Sequence, residues 1–164
     1  MNLGNKRIIG VVLEAGGNSF ISRMIRYFTK SKFSHVEVLF DGGFTVGSRE
    51  FSGVVHGTIN DFIKPVYFFF YDGINQKPLR LTKQQHDKII SFLQDSIGKK
   101  YDYKGIWGYL SNRRERNCPD SYFCSELVFE AFNHAGIRFL NREGGHFITP
   151  QNIAESLLLK EVKS

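Results

Sequence analysis

The chain has 164 residues, of which 41% are hydrophobic, 15% aromatic and 23% charged, and its net charge is +6. This length and composition exclude an intrinsically disordered chain and predict a single domain spanning residues 1–164. The positive charge is compatible with an anionic surface as partner, but it does not indicate a specific nucleic acid.

The sequence lacks the patterns of an export signal and of a membrane span. The start, from Met1 to Arg7, is polar and basic with no suitable apolar segment after it. No run approaches the roughly 20 continuous apolar residues of a membrane-spanning helix. Two cysteines, Cys118 and Cys124, are too few for the disulfide framework of a secreted domain. We therefore expect a cytoplasmic protein in a reducing compartment.

The first half of the chain is predicted to form mostly β-strands. Short β-branched and aromatic runs, some with alternating polarity, predict strands at 7–14, 34–40, 44–48, 53–59 and 66–71. Between the second and third of these, Asp41-Gly42-Gly43 predicts a hairpin turn.

A basic amphipathic helix is predicted after the first strand, with Asn18 or Ser19 as its cap. Its apolar side chains recur at helical spacing, at Phe20, Ile21, Met24, Ile25 and Phe28. Such a helix can lie on a membrane surface. A stripe of this width more often faces the core, and we predict that arrangement here.

The second half of the chain is predicted to be mostly helical. One helix starts at the Thr82–Gln85 capping box and ends before Gly98. Three more are predicted at 103–110, from a cap at Asp120 or Ser121 to Gly136, and from Thr149-Pro150 towards Leu158. The fold class is therefore α+β, with an antiparallel sheet from the N-terminal half packed by helices from the C-terminal half.

Cys124 is the predicted nucleophile. A thiol reacts as its thiolate, which the unpaired N–H groups and the dipole of a helix N-terminus favour. With Ser121 as the cap, Cys124 is the third residue of its helix, and an apolar face beginning at Leu127 anchors that helix.

His35 is the predicted base for this thiol, because a Cys–His pair needs an imidazole that a third polar group orients. Glu37 shares the strand face of His35, since side chains two residues apart on a strand point the same way. If the hairpin loop is Asp41-Gly42, His35 lies opposite Ser48, and if the loop is Gly42-Gly43, it lies opposite Glu50. Glu37 is the preferred orienting acid, with Glu50 as the alternative.

No metal or cofactor site is predicted. His56, His86, His134 and His146 have no ligand-like spacing, and the glycine pairs lack the pattern of a phosphate-binding loop. A zinc site made of His35, Glu37 and Cys124 is conceivable, but the spacing does not require one.

The order of these motifs resembles a known family. His35 in Ser34-His35-Val36-Glu37 comes first, then Tyr101-Asp102-Tyr103, then Phe123-Cys124-Ser125-Glu126-Leu127-Val128, then Thr149-Pro150. This is similar to the circularly permuted branch of the papain-like NlpC/P60 superfamily, which includes YiiX-like proteins and is related to the lecithin:retinol acyltransferase family. The similarity covers nearly the whole chain, and its His-first, Cys-last order is typical of the permuted branch.

The resemblance implies a cysteine hydrolase, either an amidase or peptidase or an acyltransferase, of bacterial or phage origin. Cys124 would attack an acyl carbon of a peptide-like or lipid substrate, with His35 as base, an acid beside it and no cofactor. The position of the orienting acid in the superfamily favours Glu50 more than local spacing does. Tyr101 and Tyr122 are predicted to contact substrate. The alternative is a catalytically silent binding module of the same fold that holds an anionic partner on its basic surface.

Overall fold

Strands from the first half of the chain form one antiparallel sheet, as predicted. The computed structural model describes residues 3–17, 19–103, 120–141 and 148–162. The strands are β1 (Ile8–Ala15), β2 (Phe33–Phe40), β3 (Phe44–Arg49), β4 (Gly53–Thr58), β5 (Pro65–Asp72), β6 (Lys77–Pro78), β7 (Lys100–Tyr101), β8 (Ser121–Tyr122) and β9 (Leu159–Val162). The helices are α1 (Phe20–Thr29), α2 (Lys83–Ser96), α3 (Cys124–His134) and α4 (Pro150–Ala154).

The central strand pair of the sheet is β1 and β2. The strand order is β4-β3-β2-β1-β5-β6, and β9 also pairs with β5. β7 and β8 form a separate parallel pair. Alternation along β2 sends Val36, Val38 and Phe40 into the hydrophobic core, whereas His35 and Glu37 belong to the other set of side chains.

The core lies between the sheet and helices α2 and α3. The side chains of α3 pack against β2, β3 and α2. The fully buried side chains of this core include Leu13, Phe33, Ile89, Leu127 and Phe132. Burial of this apolar surface holds α3 rigidly over β2, the two elements that carry Cys124 and His35.

The β2–β3 hairpin differs from both predicted registers. A three-residue turn, Asp41–Gly43, joins the strands, and Val38 pairs with Val46 and Leu39 with Thr45. The same register continued along the strands brings His35 opposite Arg49, rather than Ser48 or Glu50. Because both glycines adopt positive φ, which glycine does at little steric cost, the composition of the turn did not distinguish a two-residue loop from a three-residue loop.

The predicted helices of the second half are present with two differences among the described residues. Thr82 caps α2 through a capping box with Gln85, as predicted. The last helix, α4, is only five residues long, and the chain then forms β9, which the sequence did not predict. The helix predicted at 103–110 lies outside the described residues apart from Tyr103.

The prediction that the apolar stripe of α1 faces the core is wrong for most of its length. Ile25 is the only residue of α1 that is buried, whereas Phe20 and Phe28 are exposed. Among the described elements, the main packing partner of α1 is β2, so one turn of its wide apolar stripe suffices for the contact.

None of the helices in the described ranges combines the length and the hydropathy that crossing a bilayer requires. The longest of them, α2, has 14 residues, which is shorter than the roughly 20 residues of a typical span.

Candidate active site

Cys124 is the first residue of α3 and is fully buried. The prediction that Asp120 or Ser121 caps this helix is wrong, because Ser121 and Tyr122 form β8 and Phe123 occupies the cap position. Cys124 therefore lies two positions closer to the N-terminus of the helix than expected. Its N–H is among the first helical N–H groups, which have no carbonyl partner within the helix.

The start of α3 is fixed by bonds from three directions. Ser48 of β3 donates a hydrogen bond of 2.6 Å to the carbonyl of Tyr122. The N–H of Asp102, just after β7, donates to the same carbonyl. On the other side of Cys124, the hydroxyl of Ser125 donates to the carbonyl of Ile148. These contacts hold the thiol in a defined position relative to the sheet.

The imidazole of His35 lies between the thiol and a carboxylate. The side chain of Cys124 lies near enough to this ring to raise its pKa, and Nε2 of the ring is 2.9 Å from Oε1 of Glu37. Because Nε2 faces Glu37, Nδ1 is the ring nitrogen left to face the thiol. About a fifth of the His35 side chain is exposed, and its ring lies beside that of Phe62.

The electrostatics of the pair favour a charged imidazole. Burial acts to lower the pKa of His35, but the charge on Cys124 and the hydrogen bond to it, followed by the hydrogen bond and charge of Glu37, raise that pKa to about 10. At neutral pH His35 is therefore an imidazolium beside the side chain of Cys124, and a Cys–His pair reacts through the thiolate that such a charge stabilises.

Arg49 extends this chain of contacts beyond the residues that the sequence indicated. Its Nε and Nη2 donate to the two carboxylate oxygens of Glu37, at 2.6 and 3.0 Å. Its Nη1 donates to Asp61 at 2.9 Å. Burial acts to raise the pKa of Glu37, but the hydrogen bonds and charges of His35 and Arg49 lower it to about 2. Glu37 is thus an ionised, fully buried carboxylate with partners on both oxygens.

Two glycines make room for this buried pair. A Cβ at Gly47 would lie 2.2 Å from Cγ of Glu37, and a Cβ at Gly57 would lie 1.9 Å from Nη2 of Arg49. Neither glycine has a positive φ, so space and not backbone conformation is what requires glycine at these positions. The only signal in the sequence was the presence of a glycine inside each of two predicted strands, at 44–48 and 53–59.

Gly47→Ala is expected to destabilise the protein by at least about 2 kcal/mol, because the new methyl group overlaps a side chain that cannot move away from its partners. Urea denaturation of Gly47→Ala, of Glu37→Ala and of the double variant would measure these changes in the free energy of unfolding. In the Glu37→Ala background, where Cγ is absent, the added methyl group should cost little. An equal cost in both backgrounds would contradict the proposed overlap.

The other predicted site residues occupy different surroundings. Glu50 accepts a hydrogen bond of 2.8 Å from Ser19, so the contact with Nε2 of His35 is made by Glu37. The pKa of Tyr101 is raised well above its ordinary value, first by burial and then by the charges of Cys124 and Glu50, which places this phenol in the electrostatic environment of the thiol. Tyr122 instead packs its ring against Phe92 of α2.

A second buried carboxyl group lies in the first turn of α3. Glu126 accepts a hydrogen bond from the N–H of Phe123. Burial, which outweighs this hydrogen bond, acts together with the charges of Asp102 and Glu130 to raise the pKa of Glu126 to about 7. Glu126 therefore adds less than a full negative charge near the thiol at neutral pH.

The residues around the pair do not suit a metal ion. Both oxygens of Glu37 accept from Arg49, and a guanidinium at this distance repels a divalent cation. Across the described parts of the chain, His, Cys, Asp and Glu side chains form no group of three that could hold a metal.

The fold and the site define a mixed α+β protein in which a strand histidine meets a cysteine at a helix N-terminus. No family model matches the chain, and no curated protein matches it. Among solved structures, the fold resembles that of the metalloprotein YiiX from Escherichia coli O157:H7, with a TM-score of 0.67 over 96% of this chain and 97% of that chain. The two sequences are 17% identical, so the likeness establishes a shared fold alone.

Proposed function

We propose that the chain is a cysteine hydrolase or acyltransferase of the permuted papain-like type, with Cys124, His35 and Glu37 as its catalytic residues. The observation that carries this proposal is the connected series of contacts from the thiol through the imidazole to a buried, ionised carboxylate. The order of the elements, with the His strand before the Cys helix, and the YiiX-like fold support it.

The first chemical step forms a thioester. The thiolate of Cys124 attacks the acyl carbon, and the negative charge that develops on the acyl oxygen accepts a hydrogen bond from the N–H of Cys124. The bond to the leaving amine or alcohol then breaks while His35 donates its proton to that group. Glu37 stabilises the imidazolium before this transfer and holds the ring in place after it.

The second step releases the acyl group. Neutral His35 removes a proton from water or from another acceptor, which attacks the thioester carbon and expels the Cys124 thiolate. Tyr101 is suited to assist as a hydrogen-bond donor, because its raised pKa keeps the phenol protonated. Since Cys124 is buried and His35 is partly exposed, we infer that the acyl group enters from the His35 side.

Trapping of an acyl-enzyme would test this function. Incubation with a series of p-nitrophenyl esters of increasing chain length should release a burst of p-nitrophenolate and add one acyl group to Cys124, measured by peptide mass spectrometry. Cys118→Ser should retain the adduct and Cys124→Ala should lose it. Hydroxylamine should remove it, since the bond is a thioester.

The same experiment distinguishes the alternative function. A binding module without catalytic activity would show neither the burst nor the adduct, although Cys124 and His35 are in contact. An adduct that persists in Cys124→Ala and disappears in Cys118→Ser would overturn the proposed assignment of the nucleophile.

A further inference from the structure

Helix α1 exposes three aromatic side chains, two of which, Phe20 and Phe28, belong to the predicted apolar stripe. Phe20 is 75% exposed, Tyr27 79% and Phe28 48%, and the last two rings contact each other edge to face. Large apolar groups clustered on one side of a helix are unfavourable in water unless a partner covers them. Met24, one turn from both Phe20 and Phe28, is only partly buried and continues this face.

Basic side chains of α1 flank these aromatic rings. Arg23 and Lys30 are exposed, and α1 contains no Asp or Glu. Within the described ranges, the ion pairs of the protein involve neither residue. Their charges are therefore available to an external anion.

A neighbouring loop adds one apolar and one basic side chain. Ile63 is 67% exposed and Lys64 is exposed beside it. The carboxylate of Glu14 accepts hydrogen bonds of 2.8 Å from both of their N–H groups, which fixes the loop. A Cβ built at Gly16 would lie within 4 Å of both Arg26 of α1 and Lys64, so the loop adjoins the helix.

We propose that this surface, formed by Phe20, Arg23, Tyr27, Phe28, Lys30, Ile63 and Lys64 and called the α1 face, docks on an anionic lipid bilayer. Aromatic rings and aliphatic side chains insert at the boundary between headgroups and acyl chains, and adjacent Lys and Arg side chains bind anionic headgroups. The pattern of an amphipathic helix with basic residues beside its apolar stripe meets both requirements.

Charge selects the bilayer over a second copy of the chain. A symmetric dimer through this surface would bring Arg23 and Lys30 of both copies together with no acid in α1 to neutralise them. An anionic bilayer provides the complementary charge and, below it, an apolar phase for Phe20 and Tyr27. Docking does not depend on the proposed catalytic activity and is tested in the Cys124→Ala variant.

Co-sedimentation with vesicles tests this surface. The Cys124→Ala protein should bind vesicles of equal parts phosphatidylcholine and phosphatidylserine, and should bind pure phosphatidylcholine more weakly. Arg23→Glu with Lys30→Glu should weaken binding at least about tenfold, since each basic residue near the surface contributes on the order of 1 kcal/mol. Phe20→Ser with Tyr27→Ser should weaken binding to a similar degree. This loss should persist at high salt, because salt screens charge but does not weaken apolar insertion.

Matched variants elsewhere on the protein serve as controls. Lys77→Glu with Lys83→Glu makes the same change in net charge, and Ile74→Ser with Leu157→Ser removes two equally exposed apolar side chains. Both should leave binding within about twofold of the parent. Equal losses in control and α1 variants would overturn the proposal. So would binding to an oligonucleotide as tight as binding to anionic vesicles, or a dimer in solution that Phe20→Ser with Tyr27→Ser dissociates.

Discussion

His35→Gln is expected to slow alkylation of Cys124 by iodoacetamide at neutral pH by at least about a hundredfold, the lower range for loss of an acid–base partner. Glutamine keeps a hydrogen-bond donor for Glu37 and removes the positive charge that stabilises the thiolate. Rates would be measured in the Cys118→Ser background, so that Cys124 is the only cysteine.

The pH dependence of alkylation distinguishes loss of the ion pair from a structural defect. The proposed ion pair predicts that in the parent protein the rate varies little across the neutral range, since His35 keeps its charge up to its pKa of about 10 and that charge stabilises the attacking thiolate. In His35→Gln the rate should instead keep rising with pH through the range in which ordinary thiols ionise, around 8.5.

A second histidine provides the control for this experiment. His86 lies in α2 and bonds to the backbone carbonyl of Lys6, which precedes β1. In the His86→Gln variant, iodoacetamide should alkylate Cys124 at the parent rate. If Cys124 of the His35→Gln variant is also alkylated at the parent rate, with an unchanged pH profile, then Cys124 and His35 do not form an ion pair and the enzymatic proposal fails.

The sequence located the three proposed catalytic residues because each depends on a local pattern. Glu37 follows from the two-residue repeat of a strand, and Cys124 from the proximity of a helix N-terminus to an apolar face. Their catalytic role stays a prediction, but the structure brings them into contact with His35.

Arg49 could not be located in this way, because its position depends on hairpin register. A turn of two residues brings Ser48 or Glu50 opposite His35, and only the three-residue turn brings Arg49 there. A shift of one residue also changes which side chains face Glu37. The sequence contained one relevant signal, Gly47, since a buried carboxylate needs an empty position on the adjacent strand.

Two errors about helices have a common physical origin. The sequence pattern at 20–28 predicts a helix face in the core, and the sequence predicts Asp120 or Ser121 as the cap of α3. In both cases local propensity was overridden by tertiary contacts: the main packing partner of α1 in the described part of the chain is β2, and Ser121 pairs in β8 with Lys100. The α1 face that this packing leaves exposed is the surface that we propose to dock on an anionic bilayer.

Glu37 links the site to the stability of the fold, so its removal should be measurable without a substrate. The pKa of Glu37 is about 2 in the folded protein and 4.5 ordinarily. Its ionised form therefore stabilises the fold above pH 4.5, and this contribution is lost as pH falls through about 2. The pKa of His35 is raised, so its contribution is complete below 6.5 and is lost as pH rises through about 10. The pair thus stabilises most between pH 4.5 and 6.5.

Glu37→Gln should accordingly lower the free energy of unfolding at pH 6 by on the order of 3 kcal/mol, and by much less near pH 2, where the parent carboxyl is also protonated. Urea denaturation at both pH values measures the difference.

Asp61→Asn is the control, because Asp61 also binds Arg49 but is 43% exposed, and exposed ion pairs contribute less than about 1 kcal/mol. A Glu37→Gln effect that is as small as that of Asp61→Asn, or independent of pH, would mean that Glu37 is not the ionised centre of the site. Because Arg49 holds both oxygens of Glu37 while His35 faces one of them, a large and pH-dependent loss would show that the orientation of the catalytic imidazole depends on the same buried charge that stabilises the sheet.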